Sequence, residues 1–237
     1  MALNRDITVK YLGHSTFLFT TPGDRKLIID PWVQNNPACP EPDKKIGSLD
    51  TMLITHGHFD HMQDAVALGK EHKPQIGCIF EIANWLSGQG VENINPMNKG
   101  GSQQINDLKV TMVNAHHSSG LPGEDGSIVY GGEPAGYVVE FENGFRIYHA
   151  GDTCVFGDMK IIAELYRPEL VFLPIGDLFT MGPEQAAYAC RLLQARKVVP
   201  MHYGTFPPLT GTPDQLRQLT RDLGIEVYAL RPGEELK

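Results

Sequence analysis

Residues 51–61 read Thr51-Met52-Leu53-Ile54-Thr55-His56-Gly57-His58-Phe59-Asp60-His61, an apolar run that passes directly into three histidines and one aspartate. The run 51–55 has the length and composition of a buried strand, and a tight turn after it would bring the following side chains together. Neutral imidazole and carboxylate are the usual ligands of zinc and its first-row neighbours. A histidine-rich segment can also be a solvated loop, but four ligand-type residues directly after a buried strand favour a metal site.

Other histidines and a second aspartate also follow predicted strands. They are His116 and His117 after the strand ending at Ala115, His149 and Asp152 after the strand through Tyr148, and His202 after Val198–Met201. If these strands belong to two packed sheets, their ends meet at one edge. Each strand then contributes a ligand from a different part of the chain to one composite site.

Short strands and helices alternate along the chain. The predicted strands are Ile7–Leu12, Thr16–Thr20, Lys26–Asp30, Thr51–Thr55, Gln75–Phe80, Leu108–Ala115, Val138–Phe141, Phe145–His149, Leu170–Pro174, Lys197–Met201 and Glu226–Leu230. The predicted helices are Met62–His72, Glu81–Ser87, Asp158–Tyr166, Pro183–Gln194 and Pro213–Leu223. This order favours an α/β fold of two sheets packed face to face with helices outside, as one domain over residues 1–237.

The segment His116–Gly136 is rich in glycine, serine and proline and is long for a connection in a compact domain. Loops of this kind are usually functional or mobile. Because the segment starts beside the candidate ligand His117, we expect it to border the substrate pocket as a lid. The alternative is a surface excursion on the far side of the sheet edge.

The amino-acid composition limits the kinds of molecule that the protein can bind. The 237 residues carry a formal net charge of −8, which argues against a long nucleic-acid partner and leaves a small-molecule substrate as the expectation. Residues 1–10 are charged, and no stretch approaches the ~20 apolar residues of a membrane span, so we expect no membrane association and a cytoplasmic location. The four cysteines lack the spacing of a zinc ribbon or a disulfide framework. Assembly as a homo-oligomer is left open.

The motifs and their order resemble the metallo-β-lactamase superfamily. They are His56-Gly57-His58-Phe59-Asp60-His61, His117, Gly151-Asp152-Thr153 and His202. Four more resemble its small single-domain metal-dependent hydrolases, the branch that includes ascorbate-phosphate lactonase-like proteins: Leu12-Gly13-His14-Ser15, Ile29-Asp30-Pro31, Ala115-His116-His117-Ser118-Ser119 and Met201-His202-Tyr203-Gly204-Thr205. The resemblance implies a four-layer αββα sandwich of two mixed β-sheets with helices on the outer faces.

The resemblance also implies two sites for divalent metal ions. The implied ligands are His56, His58 and His117 for the first ion, Asp60, His61 and His202 for the second, and Asp152 as a bridge between them. The Ala-x-His-Ser pattern of the branch points to His117 rather than His116 as the ligand. Nitrogen and oxygen ligands without thiolate suit zinc, with manganese, nickel or iron as alternatives.

A site of this kind, with one or two metal ions, predicts a metal-dependent hydrolase that uses a metal-bound hydroxide. Two metal ions lower the pKa of a shared water to give hydroxide near neutral pH and polarise a carbonyl or phosphoryl oxygen. Asp60 would orient that hydroxide. The expected substrate is a small ester, lactone, amide or phosphodiester. The alternative is a metal-binding or redox module without hydrolytic turnover.

Several polar residues near the motifs have two interpretations. His14 would act at the mouth of the site, positioning substrate or donating a proton to the leaving group, or else be held in a strand-turn hydrogen bond. Asp30 and His149 would either stabilise a turn or orient a metal-bound histidine. Trp32 and Trp85 are expected in the core rather than at a ligand platform.

Overall fold

The computed structural model describes Leu3 and residues 6–123 and 125–237. Glu124 of the predicted lid and parts of the N-terminal segment 1–10 lie outside the described residues. The strands are β1 (Thr8–Gly13), β2 (Thr16–Thr20), β3 (Lys26–Ile29), β4 (Thr51–Leu53), β5 (Gln75–Ile79), β6 (Ile94–Met97), β7 (Ser102–Ile105), β8 (Leu108–Asn114), β9 (Gly120–Pro122), β10 (Ile128–Tyr130), β11 (Ala135–Glu140), β12 (Arg146–His149), β13 (Leu170–Pro174), β14 (Lys197–Met201), β15 (Glu226–Val227) and β16 (Glu235–Leu236). The helices are α1 (Phe59–Met62), α2 (Ala65–His72), α3 (Phe80–Gly88), α4 (Met159–Tyr166), α5 (Pro183–Leu192) and α6 (Pro213–Thr220).

The first large sheet has the strand order β16-β1-β2-β3-β4-β5-β6. Its strands from β16 to β3 are antiparallel, and β2 and β3 are joined by a tight turn in which Asp24 N donates to Thr21 O at 2.9 Å. Its strands from β3 to β6 are parallel. Parallel neighbours need a crossover connection, which the long loop after β3 and helices α1 to α3 provide.

The second large sheet has the order β15-β14-β13-β12-β11-β8-β7. Its strands β12 to β15 are parallel and are connected through α4, α5 and α6, whereas β7, β8, β11 and β12 are antiparallel. The antiparallel strands β11 and β12 are connected by the turn at Asn143-Gly144. Both large sheets are therefore mixed.

Strand β13 shows why the two sheets pack face to face. Leu170 and Phe172 belong to the core between the sheets, where the Phe172 ring lies 4.8 Å from that of Phe17 in the first sheet. Val171 and Leu173 point the other way, into the cluster beneath the helices. Successive side chains of a strand point to opposite faces, so a strand covered on both sides is apolar throughout.

Helices α4, α5 and α6 cover the outer face of the second sheet. Ile162 of α4, Ala186 of α5 and Leu216 of α6 belong to the same buried cluster as Val171. On the first sheet, Leu68 of α2 and Ile82 of α3 pack into the main core. Two mixed sheets with helices outside confirm the predicted fold class.

The structure also describes the state of the cysteines and the length and polarity of the helices. All four cysteines are free; Cys154 is exposed, whereas Cys39, Cys78 and Cys190 are buried. Within the described part of the chain, every helix is too short or too polar to cross a membrane.

The structure differs from the sequence prediction mainly at sheet edges and helix starts. The sequence does not predict the edge strands β6, β7 and β16, which lack a clear alternation of apolar and polar residues. The expected start of a helix at Met62 is wrong, because α1 ends there and α2 begins at Ala65. Between them, Asp64 Oδ2 accepts hydrogen bonds from Val33 N at 2.5 Å and Gln34 N at 3.0 Å, which fixes the chain in a bend.

Candidate metal centre

The ends of strands from both sheets converge on one cluster of histidines and aspartates. Residues 56–61 follow β4, His117 follows β8, Asp152 follows β12 and His202 follows β14. The structure brings all seven predicted ligands together in three overlapping groups, and within each group the candidate ligand atoms lie within 4.8 Å of one another. Each group could hold a metal ion.

The first group consists of His56, His58 and His117. His56 Nε2 faces His58 Nδ1 at 3.0 Å, and the His117 ring lies 5.2 Å from the His56 ring and 5.1 Å from the His58 ring. His56 is fully buried, whereas the other two rings are partly exposed. The first group therefore has one side open to ligands from solution.

The second group consists of Asp60, His61 and His202 together with His14. Asp60 Oδ2 lies 3.9 Å from His61 Nε2 and 3.8 Å from His202 Nε2. These separations leave room for an ion among the three side chains. The grouping coincides with the second set of ligands expected from the sequence, with His14 added.

Asp152 lies between the two groups. Its Oδ2 atom is 4.0 Å from His56 Nε2, 3.6 Å from His117 Nε2, 3.3 Å from His61 Nε2 and 3.0 Å from His202 Nε2. The preceding Gly151 has φ +61, and a Cβ atom there would lie 2.7 Å from Ala135 O. Only glycine fits this backbone, so Gly151 allows the chain to bring Asp152 into the cluster.

Asp30 sets the orientation of two histidines. His61 Nδ1 donates to Asp30 Oδ2 at 2.8 Å, which leaves His61 Nε2 free to face Asp152. Thr55 Oγ1 also donates to Asp30 Oδ2 at 2.8 Å, so Thr55 Oγ1 accepts from His56 Nδ1 at 3.0 Å. A hydrogen bond to one ring nitrogen fixes which nitrogen remains available for a metal. Of the two interpretations of Asp30, the structure supports the orienting one.

His14 lies inside the site rather than at its mouth, and that part of the sequence expectation is wrong. The side chain is fully buried beside the rings of Trp32 and Phe206. Its Nε2 atom donates to Asp60 Oδ2 at 2.9 Å, and its Nδ1 atom accepts from Thr205 Oγ1 at 3.0 Å. Sequence reasoning did not assign Thr205 a role, and its only signal was its place in the last motif.

The electrostatics keep the aspartates charged. Burial raises the pKa of Asp60 and of Asp152, but this effect is outweighed by His61 and His14 at Asp60, and by His202 and His61 at Asp152. Both carboxyl pKa values consequently stay well below the usual range. Both side chains are therefore anionic, which is the form that binds cations.

The histidines of the cluster divide into two classes. Burial lowers the pKa of His56, His58 and His117, with the charge of His61 acting in the same direction on His56 and His58. Burial also lowers the pKa of His14 to about 4. At His61, burial is outweighed by the three carboxylates Asp152, Asp30 and Asp60, and the pKa is raised. Most of the imidazoles are thus neutral and ready to donate a lone pair, whereas His61 must lose a proton to do so.

Two buried polar atoms support the fit of these residues to metal ions. Among the described residues, His61 Nε2 and Asp152 Oδ1 have no hydrogen-bond partner. A buried polar atom without a partner is costly, and such atoms are usually satisfied by a bound ion or water. The two atoms belong to residues of the group formed by His56, His61 and Asp152, so this donor set fits a cation.

The remaining candidates lie outside the cluster. His116 points away from it: the ring stacks on Phe156 at 4.8 Å, and its Nε2 lies 2.9 Å from Asn114 Nδ2. His149 is buried and receives a hydrogen bond from Gly151 N at Nδ1, so it stabilises the turn that precedes Asp152. Trp32 is buried, as expected.

The expected loop carries the hairpin β9–β10, which stands beside the candidate site. Together with α1 and Trp85 it encloses a cavity of about 500 Å³ that has His58 in its wall. Gly57 N donates to Ser119 Oγ at 3.1 Å and attaches the base of the hairpin to the histidine turn. The loop thus borders a pocket, and Trp85 lines it rather than lying wholly in the core.

Three kinds of comparison find known proteins that are similar to this chain. Residues 25–203 match the family model described as beta-lactamase superfamily domain. A UPF0173 metal-dependent hydrolase of Rubrobacter xylanophilus is 53% identical over 96% of this chain and 95% of its own, and one of Solibacter usitatus is 55% identical over 97% and 99%. The solved structure of Igni18, a metallo hydrolase from Ignicoccus hospitalis, superposes with a TM-score of 0.84 at 34% identity and covers 97% of each chain.

Proposed function

The chain belongs to the beta-lactamase superfamily and, within it, to the UPF0173 metal-dependent hydrolases, and on this basis we propose that it hydrolyses a small ester, lactone, amide or phosphodiester. His56, His58 and His117 would hold one divalent ion and Asp60, His61 and His202 a second. Asp152 would contact both. The grouping of the candidate ligand atoms supports this division.

The observation that carries the proposal is the place of Asp152 Oδ2, within 4.0 Å of histidine nitrogens from both groups. A carboxylate that served one ion alone would not need to lie among four imidazoles. When bound, the metal ions supply Lewis acidity towards the substrate's carbonyl or phosphoryl oxygen and lower the pKa of a water molecule.

The chain's own residues hold this centre in shape. His14 donates to Asp60 and so restricts the rotation of that carboxylate, while Asp30 restricts the ring of His61. Because both nitrogens of His14 are engaged and the ring is buried, its geometry supports positioning of Asp60 rather than direct proton donation to a leaving group. The partly exposed Asp60, His58 and His117 face the side from which a substrate can approach.

The types of ligand residue bear on which metal is bound, and the cysteines bear on where in the cell the protein works. The three groups consist of histidine and aspartate alone, which supports zinc, with manganese, nickel or iron as alternatives. Four free cysteines support a reducing compartment such as the cytoplasm.

Two measurements test the proposal together: metal content, and hydrolysis of p-nitrophenyl acetate and bis(p-nitrophenyl) phosphate. We expect Asp152→Ala to lose more activity than His61→Ala, because Asp152 would contact both metal ions, whereas His61 would hold only the second. Asp222→Ala, an exposed aspartate outside the cluster, is the matched control and should keep the full rate. Bound metal without hydrolysis of any substrate would favour a metal-binding or redox module instead.

A further inference from the structure

The cavity beside the candidate metal centre has a chemistry of its own. We call it the apolar cavity, and its walls are formed chiefly by Phe59, Met62, Trp85, Leu121, Pro122 and Ile128. Its volume of about 500 Å³ is within the range of small-molecule sites. It lies between the turn that carries Gly57 and His58 and the hairpin β9–β10.

The apolar cavity and the metal centre share a wall. His58 lines the cavity, and its Nδ1 atom faces His56 Nε2 at 3.0 Å inside the first group. The next residue, Phe59, also lines the cavity and begins helix α1. A molecule with one end in the cavity would therefore have its other end at the metal ligands.

The hairpin wall is attached to the site by hydrogen bonds. Ser119 Oγ accepts from Gly57 N at 3.1 Å and donates to Gly131 O at 3.1 Å, so one side chain joins the histidine turn to both ends of the hairpin. Leu121 is buried there against the main core. The cavity is thus a preformed part of the fold next to the site.

The side chains that line the apolar cavity limit which kind of ligand can bind there. Among the described residues that line the cavity, there is no aspartate, glutamate, lysine or arginine, and the polar side chains are His58, Gln63 and Ser127. Transfer of a charged group into such surroundings is unfavourable because nothing there compensates it. Ile128 is 86% exposed and Phe59 is 60% exposed, so both would gain by contact with an apolar ligand.

We propose that the apolar cavity binds an uncharged apolar portion of the substrate, an acyl chain or an aromatic ring, and holds the scissile bond beside His58. This inference rests on the proposed hydrolytic function and specifies its substrate class. It places specificity in the hairpin, with Ile128 as a residue that selects for apolar groups.

The first test uses the metal-loaded protein and p-nitrophenyl esters from acetate to octanoate. We expect kcat/KM to rise about fourfold per added methylene until the chain fills the cavity. Mono-p-nitrophenyl adipate, which has the hexanoate chain length with a terminal carboxylate, should react more slowly than the hexanoate. Equal kcat/KM values for acetate, hexanoate and adipate esters would overturn the inference while leaving the hydrolase proposal intact.

A pair of variants locates the effect. Ile128→Ser should lower the hexanoate-to-acetate ratio of kcat/KM by about tenfold. Leu165→Ser, on α4 and 65% exposed, removes another exposed apolar side chain away from the cavity and should keep the ratio of the unaltered protein. A loss of equal size in both variants would contradict a specific role for the hairpin.

The second test does not depend on turnover. The uncharged fluorescent probe N-phenyl-1-naphthylamine should bind saturably to the protein, with an affinity that Ile128→Ser weakens and Leu165→Ser does not. Binding of the probe without hydrolysis of any p-nitrophenyl ester or of bis(p-nitrophenyl) phosphate would support the apolar cavity and count against the proposed function. Absence of saturable binding, or equal binding by both variants, would reject the cavity as a ligand site.

Discussion

His14, Asp30 and His202 share an unusual backbone conformation, with φ values of +59°, +54° and +55°. Non-glycine residues rarely adopt such values, and they persist where the surrounding structure enforces them. Each of the three follows closely on a strand of a large sheet. Three of the positive-φ residues in the described part of the chain therefore belong to the metal centre or orient its ligands.

At the first group, we predict that His56→Ala and His58→Ala each lower the bound metal by about one ion per chain, because two remaining imidazoles leave the coordination shell incomplete. Metal content measured by mass spectrometry after dialysis checks this result. The control is His116→Ala, which removes a ring that stacks on Phe156 outside the cluster. Unchanged stoichiometry in the His56 and His58 variants would contradict the ligand assignment.

At Asp30, we predict that Asp30→Asn lowers metal affinity by about 10–100-fold, since the amide no longer orients His61 and Thr55 as the carboxylate does. Competition with a chromogenic chelator measures the affinity. Asp24→Asn is a matched control, because Asp24 also has a positive φ (+60°) but is exposed in the β2–β3 turn. Equal affinities for the two variants would show that the Asp30 carboxylate does not support the site.

At this scale the sequence predicts which histidines and aspartates lie together, but not the arrangement of the residues around them. The spacing of residues 56–61 and the positions of His117, Asp152 and His202 after strands are local features, readable without a structure. The burial of His14 depends instead on Trp32 and Phe206, which come from other parts of the chain. Tertiary packing of this kind leaves no local pattern.

Among the secondary structure elements, β13 and β14 approach each other closely where the site begins. Gly176 follows β13, and a Cβ atom at this position would lie 2.0 Å from His202 O. We predict that Gly176→Ala destabilises the protein by about 1–3 kcal/mol and also lowers metal affinity, because the clash is with the backbone of His202. Urea unfolding and metal titration measure the two effects.

The control for this change is Gly157→Ala, at a glycine with open space around its Cβ position. This variant should unfold within about 0.5 kcal/mol of the unaltered protein. If Gly176→Ala behaved in the same way, the close approach of the two strand ends would not constrain the site.

Helices and strands with a clear local sequence pattern were predictable. Strands that form only because they pair with a neighbouring strand were not. The sequence predicts β13 and β14 from continuous apolar runs and α5 from the proline at its start. By contrast, β7 is polar and acquires strand structure through pairing with β8. Strand β10 is exposed at all three residues, so burial gives no pattern from which to predict it.

In the whole molecule, ligands come from both large sheets. Asp60 and His61 follow β4 in the first sheet, whereas Asp152 and His202 follow strands β12 and β14 in the second. Bound metal would therefore connect the two layers. The sequence predicts the two-sheet fold, and with it this connection, because the strand ends that carry the motifs must meet at an edge.

We predict that removal of metal lowers the unfolding temperature, because the ligands are assembled in the folded state and not in the unfolded chain. Free metal at 100 times its Kd stabilises a folded protein by about 2.7 kcal/mol. In a chain of this size that corresponds to about 5–10 °C. Differential scanning calorimetry before and after chelation measures the shift, and Asp152→Ala should show little or none. Equal unfolding temperatures with and without chelator would contradict the prediction.

The order of the ligands along the chain also has a consequence for biosynthesis. At about 5–20 residues per second, a ribosome needs about 7–28 s to cover the roughly 140 residues between His61 and His202. During that interval the nascent polypeptide already carries four ligands in residues 56–61, while their partners from the second sheet are incomplete. We therefore expect lasting capture of metal late in translation or after release, when the metal ions free in the cell would decide which ion is bound.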